Sequence, residues 1–146
     1  MRLEAKGTAW FLACAGFVPF AGLSLALLLA GRETALHPVL IDALRTYAAV
    51  VLSFLGGIRW GLALRSTPVA AGDILFSVVP AIVGWLALFL PVPLAVSLLL
   101  LAFCTLGAWD SLAIHRGLAP VWFATQRIVL TLLVAAALVG ALVAVV

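Results

Sequence analysis

Charge is what this chain has least of. Residues 7–31, 74–109 and 128–146 contain no Asp, Glu, Lys or Arg, and charged residues make up only 9% of the 146. A water-soluble domain of this size must cover itself with polar side chains, and a chain that is 67% hydrophobic has too few of them. Apolar runs of this length read instead as membrane-spanning helices. The net charge of +3 is spread thinly, with no basic run able to track phosphates, so no nucleic-acid partner is expected.

Other scarcities exclude chemistries. Only two His and two Cys are present. His37 and His115 are expected on opposite sides of the membrane, so they cannot share a metal. Cys14 and Cys104 lack ligand spacing and are expected to be packing residues. Asp110 has no acidic partner for an aspartyl dyad, and no Ser-His-Asp set, nucleotide loop, HExxH or phosphotransfer signature occurs. No catalytic residue, metal or cofactor is nominated, and the balance leans away from an enzyme.

What is present is a set of spans. The run 74–109 is 36 residues long. As one helix it would reach about 54 Å, against a hydrocarbon core of about 30 Å. Pro91-Val92-Pro93 is its only turn chemistry, so it divides into two helices joined by a tight hairpin. The resulting expectation is an all-α polytopic membrane bundle, one domain over 1–146, with five spans near 8–30, 39–64, 73–90, 93–113 and 121–144. The second span is interrupted by Asp42, Arg45 and Arg59. Arg45 and Arg59 are expected to snorkel toward opposite interfaces, the alternative being a re-entrant or interfacial segment. The start MRLEAKG has a basic n-region, but the apolar run after it is longer than a signal-peptide core and reads as a retained span, despite the cleavage-site or lipobox mimicry of Ala13-Cys14-Ala15.

Five spans put the termini on opposite sides. The N-terminal side then holds Arg2, Lys6, Arg59, Arg65, Arg116 and Arg127, and the other side only Arg32 and Arg45. The positive-inside rule makes the N-terminus cytoplasmic and Val146 external.

Three ionisable residues fall at similar depth on that cytoplasmic half: Arg59, Asp110 and Arg127. Ionisable groups inside a membrane face the bundle interior, a wet cavity or each other. Asp110 is expected to be ionised and paired with Arg59 or Arg127, leaving one positive charge over. Such a cluster is a structural lock on three helices, or a site for an anionic headgroup, a substrate or a proton path. Ser53, Gly57 and Gly61 form a small-xxx-small ladder, expected to seat another helix on the face opposite Arg59; Ala136, Gly140 and Ala144 repeat the pattern. Trp10, Trp60, Trp109 and Trp122 suit an interfacial belt, with an Arg over Trp60 or Trp109 as a second-order contact. Trp85 falls mid-span, where with Gly84 it is expected to close a helix contact.

The segment Tyr47–Leu64, YAAVVLSFLGGIRWGLAL, resembles the domain of unknown function 3429 family, with FLGGIRWG as the most specific part. The similarity continues through Val79-Pro80 with Gly84-Trp85, through Trp109-Asp110, and through Trp122, Arg127, Leu130 and Thr131. The resemblance implies a small multi-pass inner-membrane protein, bacterial or mitochondrial, and brings no reaction or ligand with it. The lack of an Arg- and Ser-rich stretch before the first span favours the bacterial form. Two functions compete on these residues. One is a non-enzymatic accessory or assembly protein, binding lipid or quinone in a cleft near Arg59, with membrane lipids and other membrane proteins or a second copy as partners. The other is a small transporter or channel with a polar route lined by Arg59, Asp110 and Arg127. A route needs polar residues across the whole bilayer, and the outer half offers little beyond Ser24, Thr46 and Ser97.

Overall fold

The computed structural model describes residues 2–115 and 120–146, and side chains at 4–111 and 120–146. Arg116 and the side chains of Arg2 and His115 lie outside the described residues. Among these there are five helices: α1 (Arg2–Ala30), α2 (His37–Ala63), α3 (Ala71–Ala87), α4 (Val92–His115) and α5 (Val121–Val145). All but α3 are long and apolar enough to cross a membrane. The boundaries follow local chemistry. Gly31, with φ of +67°, ends α1 in the left-handed conformation that glycine adopts without penalty. Pro38 stands in the first turn of α2, where its missing N–H costs nothing. The expected Pro91–Pro93 hairpin separates α3 from α4.

Each helix packs on its sequence neighbours, α5 returns to α1, and α2 also touches α4 across the ring. Phe20 of α1 fills the middle, edge-on to Tyr47 of α2 at 5.2 Å and Phe103 of α4 at 5.6 Å. Gln126 Nε2 donates to the Ala9 carbonyl (2.9 Å) and Arg32 Nε to that of Ala144 (3.1 Å), so α1 and α5 run parallel with both ends tied. One end of the bundle therefore holds the start of α1, the α2–α3 connection, the end of α4 and the start of α5; the opposite end holds Val146.

The small-residue ladder is a correction. Gly57 and Gly61 are exposed, and a Cβ added to either would meet nothing within 4 Å. Ser53 bonds its own helix, at Ala49. The face of α2 that seats α3 is one residue away. An added Cβ at Gly56 would lie 2.5 Å from the Ser77 carbonyl oxygen and 3.5 Å from Pro80, and one at Gly84 would lie 3.1 Å from the Ala49 backbone. Only the rotation of the helix, about 100° per residue, separates the two readings. Gly140 packs ordinarily against Leu28. Gly84 closes its contact without Trp85, which points outward against Phe89. Cys14 and Cys104 are exposed rather than packed.

Arg45 is a second correction. Instead of snorkelling, it is buried, and its Nη2 donates to the carbonyls of Ala87, Leu88 and Leu90 at 2.8–2.9 Å, with Asp42 3.6 Å from Nη1. The reason is the shortness of α3. Its 17 residues rise about 26 Å, less than a bilayer core, so its terminal carbonyls end at depth. Unpaired carbonyls there are costly, and a cation at a helix C-terminus satisfies both the acceptors and the dipole. Arg45→Lys keeps the charge but loses the planar fork. It is expected to lower stability by about 1–2 kcal/mol in detergent unfolding; an unchanged midpoint would contradict this capping role.

Candidate functional site

Arg59, Asp110 and Arg127 come together at the N-terminal end of the ring, and the packing beneath them explains how. Gly107 lies one turn before Asp110, and Thr131 one turn after Arg127. An added Cβ at Gly107 would fall 2.6 Å from Thr131 Cγ2, so the missing side chain is what lets α5 close on α4. At that separation Arg127 Nε donates to Asp110 Oδ2 at 2.7 Å. On the other side Arg59 Nη1 stands 3.5 Å from Asp110 Oδ1. The single carboxylate is thus divided between two guanidiniums, one oxygen to each. Asp110 and Arg127 are buried, and Arg59 nearly so, with its guanidinium carbon 5.4 Å from the Trp109 ring centre. Of the two tryptophans expected near an Arg, Trp109 has the contact.

A cleft opens on each side of this bridge. The larger, of about 630 Å³, lies between α1, α2 and α5, with Phe103 of α4 at its back. Arg127, Gln126, Trp122 and Thr131 stand at its polar end. From there it descends between apolar walls to Phe20 and to Tyr47, whose hydroxyl donates to the Gly16 carbonyl at 2.7 Å. Exposed Leu12 and Phe54 form its rim, facing the surroundings of the bundle. Among the described residues Arg127 has its one hydrogen bond to Asp110 through Nε, which leaves the Nη donors for the cleft. The smaller cleft, of about 250 Å³, lies between α3 and α4 beside Arg59, and Asp73 lines it as well.

The sequence placed the three charged residues and missed three things around them. Asp73, in the first turn of α3, was not singled out, yet its cleft is the one beside Arg59. The formal charges of Arg59, Arg127, Asp73 and Asp110 therefore sum to zero, where one positive charge over had been expected. Gln126, which ties α5 to α1, also went unnoticed. The large cleft had one legible signal: Ala9, Ala13 and Gly16 share a face of α1, and all three line it. Small residues at that spacing mark a close helix approach or a hole, and only the neighbouring helix decides between them.

A family model described as a protein of unknown function, DUF3429, matches residues 5–143 of this chain. Transmembrane protein 69 of Xenopus tropicalis is 34% identical over 148 aligned residues, which cover 96% of this chain and 55% of that protein. Transmembrane protein 69 of Mus musculus is 31% identical over 138 residues, covering 89% and 53%. The chain thus spans about half the length of the curated relatives it matches. No solved structure matches it.

Proposed function

We propose that this chain, which belongs to the DUF3429 family of proteins of unknown function, is a non-enzymatic membrane protein that holds an amphiphile in the cleft between α1, α2 and α5. The observation behind this reading is the cleft itself: about 630 Å³, apolar along its length, with Arg127 at one end. Clefts of 300–1,000 Å³ with few polar groups and many apolar ones are the usual form of small-ligand sites. The Nη donors of Arg127 and the hydroxyl of Thr131 suit a head that accepts hydrogen bonds, such as a phosphate ester or a quinone carbonyl. Phe17, Phe20 and Val134 suit a hydrocarbon tail. In a bilayer the medium at the rim is already lipid, so the ligand needs no aqueous route.

The test is mass spectrometry of the protein released from mild detergent, after exposure to phosphatidylglycerol or ubiquinone. One retained molecule is expected for at least one of the two. Val51→Trp fills the cleft from α2 and is expected to remove it while the thermal midpoint holds. A wild-type chain that retains neither overturns the reading. A conducting route through Arg59, Asp110 and Arg127 has less support. The bridge is closed by direct ion pairs, and beyond Tyr47 the buried polar side chains on α1 and α2 are Ser24 and Arg45, the latter occupied by carbonyls.

The proposed setting is a bacterial inner membrane with the N-terminus in the cytoplasm. Supporting the orientation, Lys6, Arg59, Arg65 and Arg127 belong to the N-terminal end, against Arg32 and Arg45 at the other, and Arg45 is committed inside the bundle. Reporter fusions at Arg65 and Val146 are expected to report the cytoplasm and the periplasm respectively. The reverse assignment would invert the orientation, and a shared compartment would refute the five-crossing path.

A further inference from the structure

The cleft between α3 and α4 differs from its larger neighbour in one respect that bears on ligand choice: it has charges of both signs at the same end. Arg59 and Asp73 line it there, beside Trp109 and Phe76, whose rings lie 5.6 Å apart. Among the described residues no carboxylate lines the cleft at Arg127. From Asp73 the groove runs along α3 to Val83, about 15 Å at 1.5 Å per residue, and its far end is aliphatic, with Leu98 and Leu101 opposite. Leu101 is exposed, so that side of the groove faces lipid. A short groove, charged and aromatic at one end and aliphatic at the other, has the polarity of a phospholipid crossing from headgroup to acyl chain.

We propose that this cleft is a second lipid site, selective for a zwitterionic glycerophospholipid whose headgroup holds a phosphate and a primary ammonium. The phosphate sits on Arg59 and the ammonium on Asp73. Three physical arguments favour that headgroup. The four charges Arg59, Asp73, Asp110 and Arg127 already balance, so a net-neutral headgroup adds no uncompensated charge where the dielectric is low. An anionic headgroup without an amine would add a net negative charge beside Asp73 to a cluster that is already balanced. A quaternary ammonium has no N–H to donate to the Asp73 carboxylate, whereas a primary ammonium has three. Arg59 is not idle in the absence of lipid. It is held by Asp110 and lies over Trp109, so its position is fixed in advance and the phosphate joins an existing chain of charges. The proposal shares with the preceding reading only the premise that the chain sits in a bilayer and retains lipid; the cleft, the charges and the headgroup are different.

The experiment is a lipid titration of the detergent-solubilised chain followed by native mass spectrometry, with phosphatidylethanolamine, phosphatidylcholine and phosphatidylglycerol of the same acyl composition. The ethanolamine lipid is expected to bind about tenfold more tightly than the choline lipid, the scale of one charge-assisted hydrogen bond. Asp73→Asn is expected to erase that preference. Val83→Trp, which fills the aliphatic end and touches no charge, is expected to remove the tight ethanolamine-lipid site altogether and keeps the test usable should Asp73→Asn fail to fold. Equal affinity for the two lipids in the wild-type chain, or a preference that survives either variant, overturns the proposal. The two clefts are told apart by Val51→Trp. An ethanolamine preference that persists there supports this site whatever becomes of the larger one. A phosphatidylglycerol or quinone complex that Val51→Trp abolishes, without any ethanolamine preference, rejects this site alone.

Discussion

Asp110→Asn is expected to cost the folded chain about 3–5 kcal/mol, the scale found when one partner of a buried charge pair is removed. The carboxylate lies between two guanidiniums, at 2.7 Å from Arg127 and 3.5 Å from Arg59, and an amide cannot neutralise either. Arg127, buried against α4, would keep its charge in a low-dielectric bundle with its Nε facing a neutral group. The effect should be strongly non-additive. Asp110→Asn combined with Arg127→Gln leaves no stranded charge on α5 and is expected to recover part of the loss, since each change removes the other's penalty. Unfolding of the four members of this cycle in mixed micelles measures the coupling. Losses that simply add would mean that the bridge contributes nothing of its own, and that Arg127 finds its compensation in lipid phosphate.

The level of these residues, and with it the pairing of Asp110 with an arginine, was legible in the sequence, whereas the rotation of each helix was not, for one reason. Position along a helix follows directly from counting at a fixed rise per residue, so the level of Arg59, Asp110 and Arg127 could be read without knowing the fold. So could the division of the run 74–109 at Pro91, because no helix of 36 residues fits a bilayer. Rotation about each helix axis, and which helix stands beside which, depend on packing among five elements that are apolar almost all round. Where every face is apolar, periodicity does not point to an interior. Cys14 and Cys104 show the consequence: both looked like packing residues and both face outward. Arg45 shows it from the polar side. Its level along α2 could be counted, but its destination was set by where a neighbouring short helix ends, which belongs to α3 and not to the residues around Arg45.

The same loss of rotational information produced the misplaced glycine ladder, and it yields the sharpest contrast between neighbouring substitutions. Gly56→Leu is expected to abolish folding in detergent, while Gly57→Leu stays within about 0.5 kcal/mol of the parent, as surface changes do. At Gly57 a new side chain enters open surroundings. At Gly56 even the first carbon meets a backbone carbonyl, Ser77 O at 2.5 Å, and a backbone atom cannot rotate aside as a side-chain tip can. The helix behind that carbonyl is not free to retreat. Pro80 packs against the same notch, Gly84 is seated on Ala49, and the carbonyl end of α3 is bound by Arg45. Displacing α3 would therefore break the Arg45 cap and alter the cleft that α3 forms with α4 beside Arg59. Gly56→Ala, the milder test, is expected to cost about 1–3 kcal/mol, the usual penalty for forcing one extra carbon into a filled contact. It should also weaken retention of any lipid in the α3–α4 cleft more than in the α1–α2–α5 cleft, because only the former has α3 as a wall. Equal tolerance of Leu at positions 56 and 57 would mean that α2 and α3 do not meet through this face, and the Arg45 cap and the smaller cleft would fall with it.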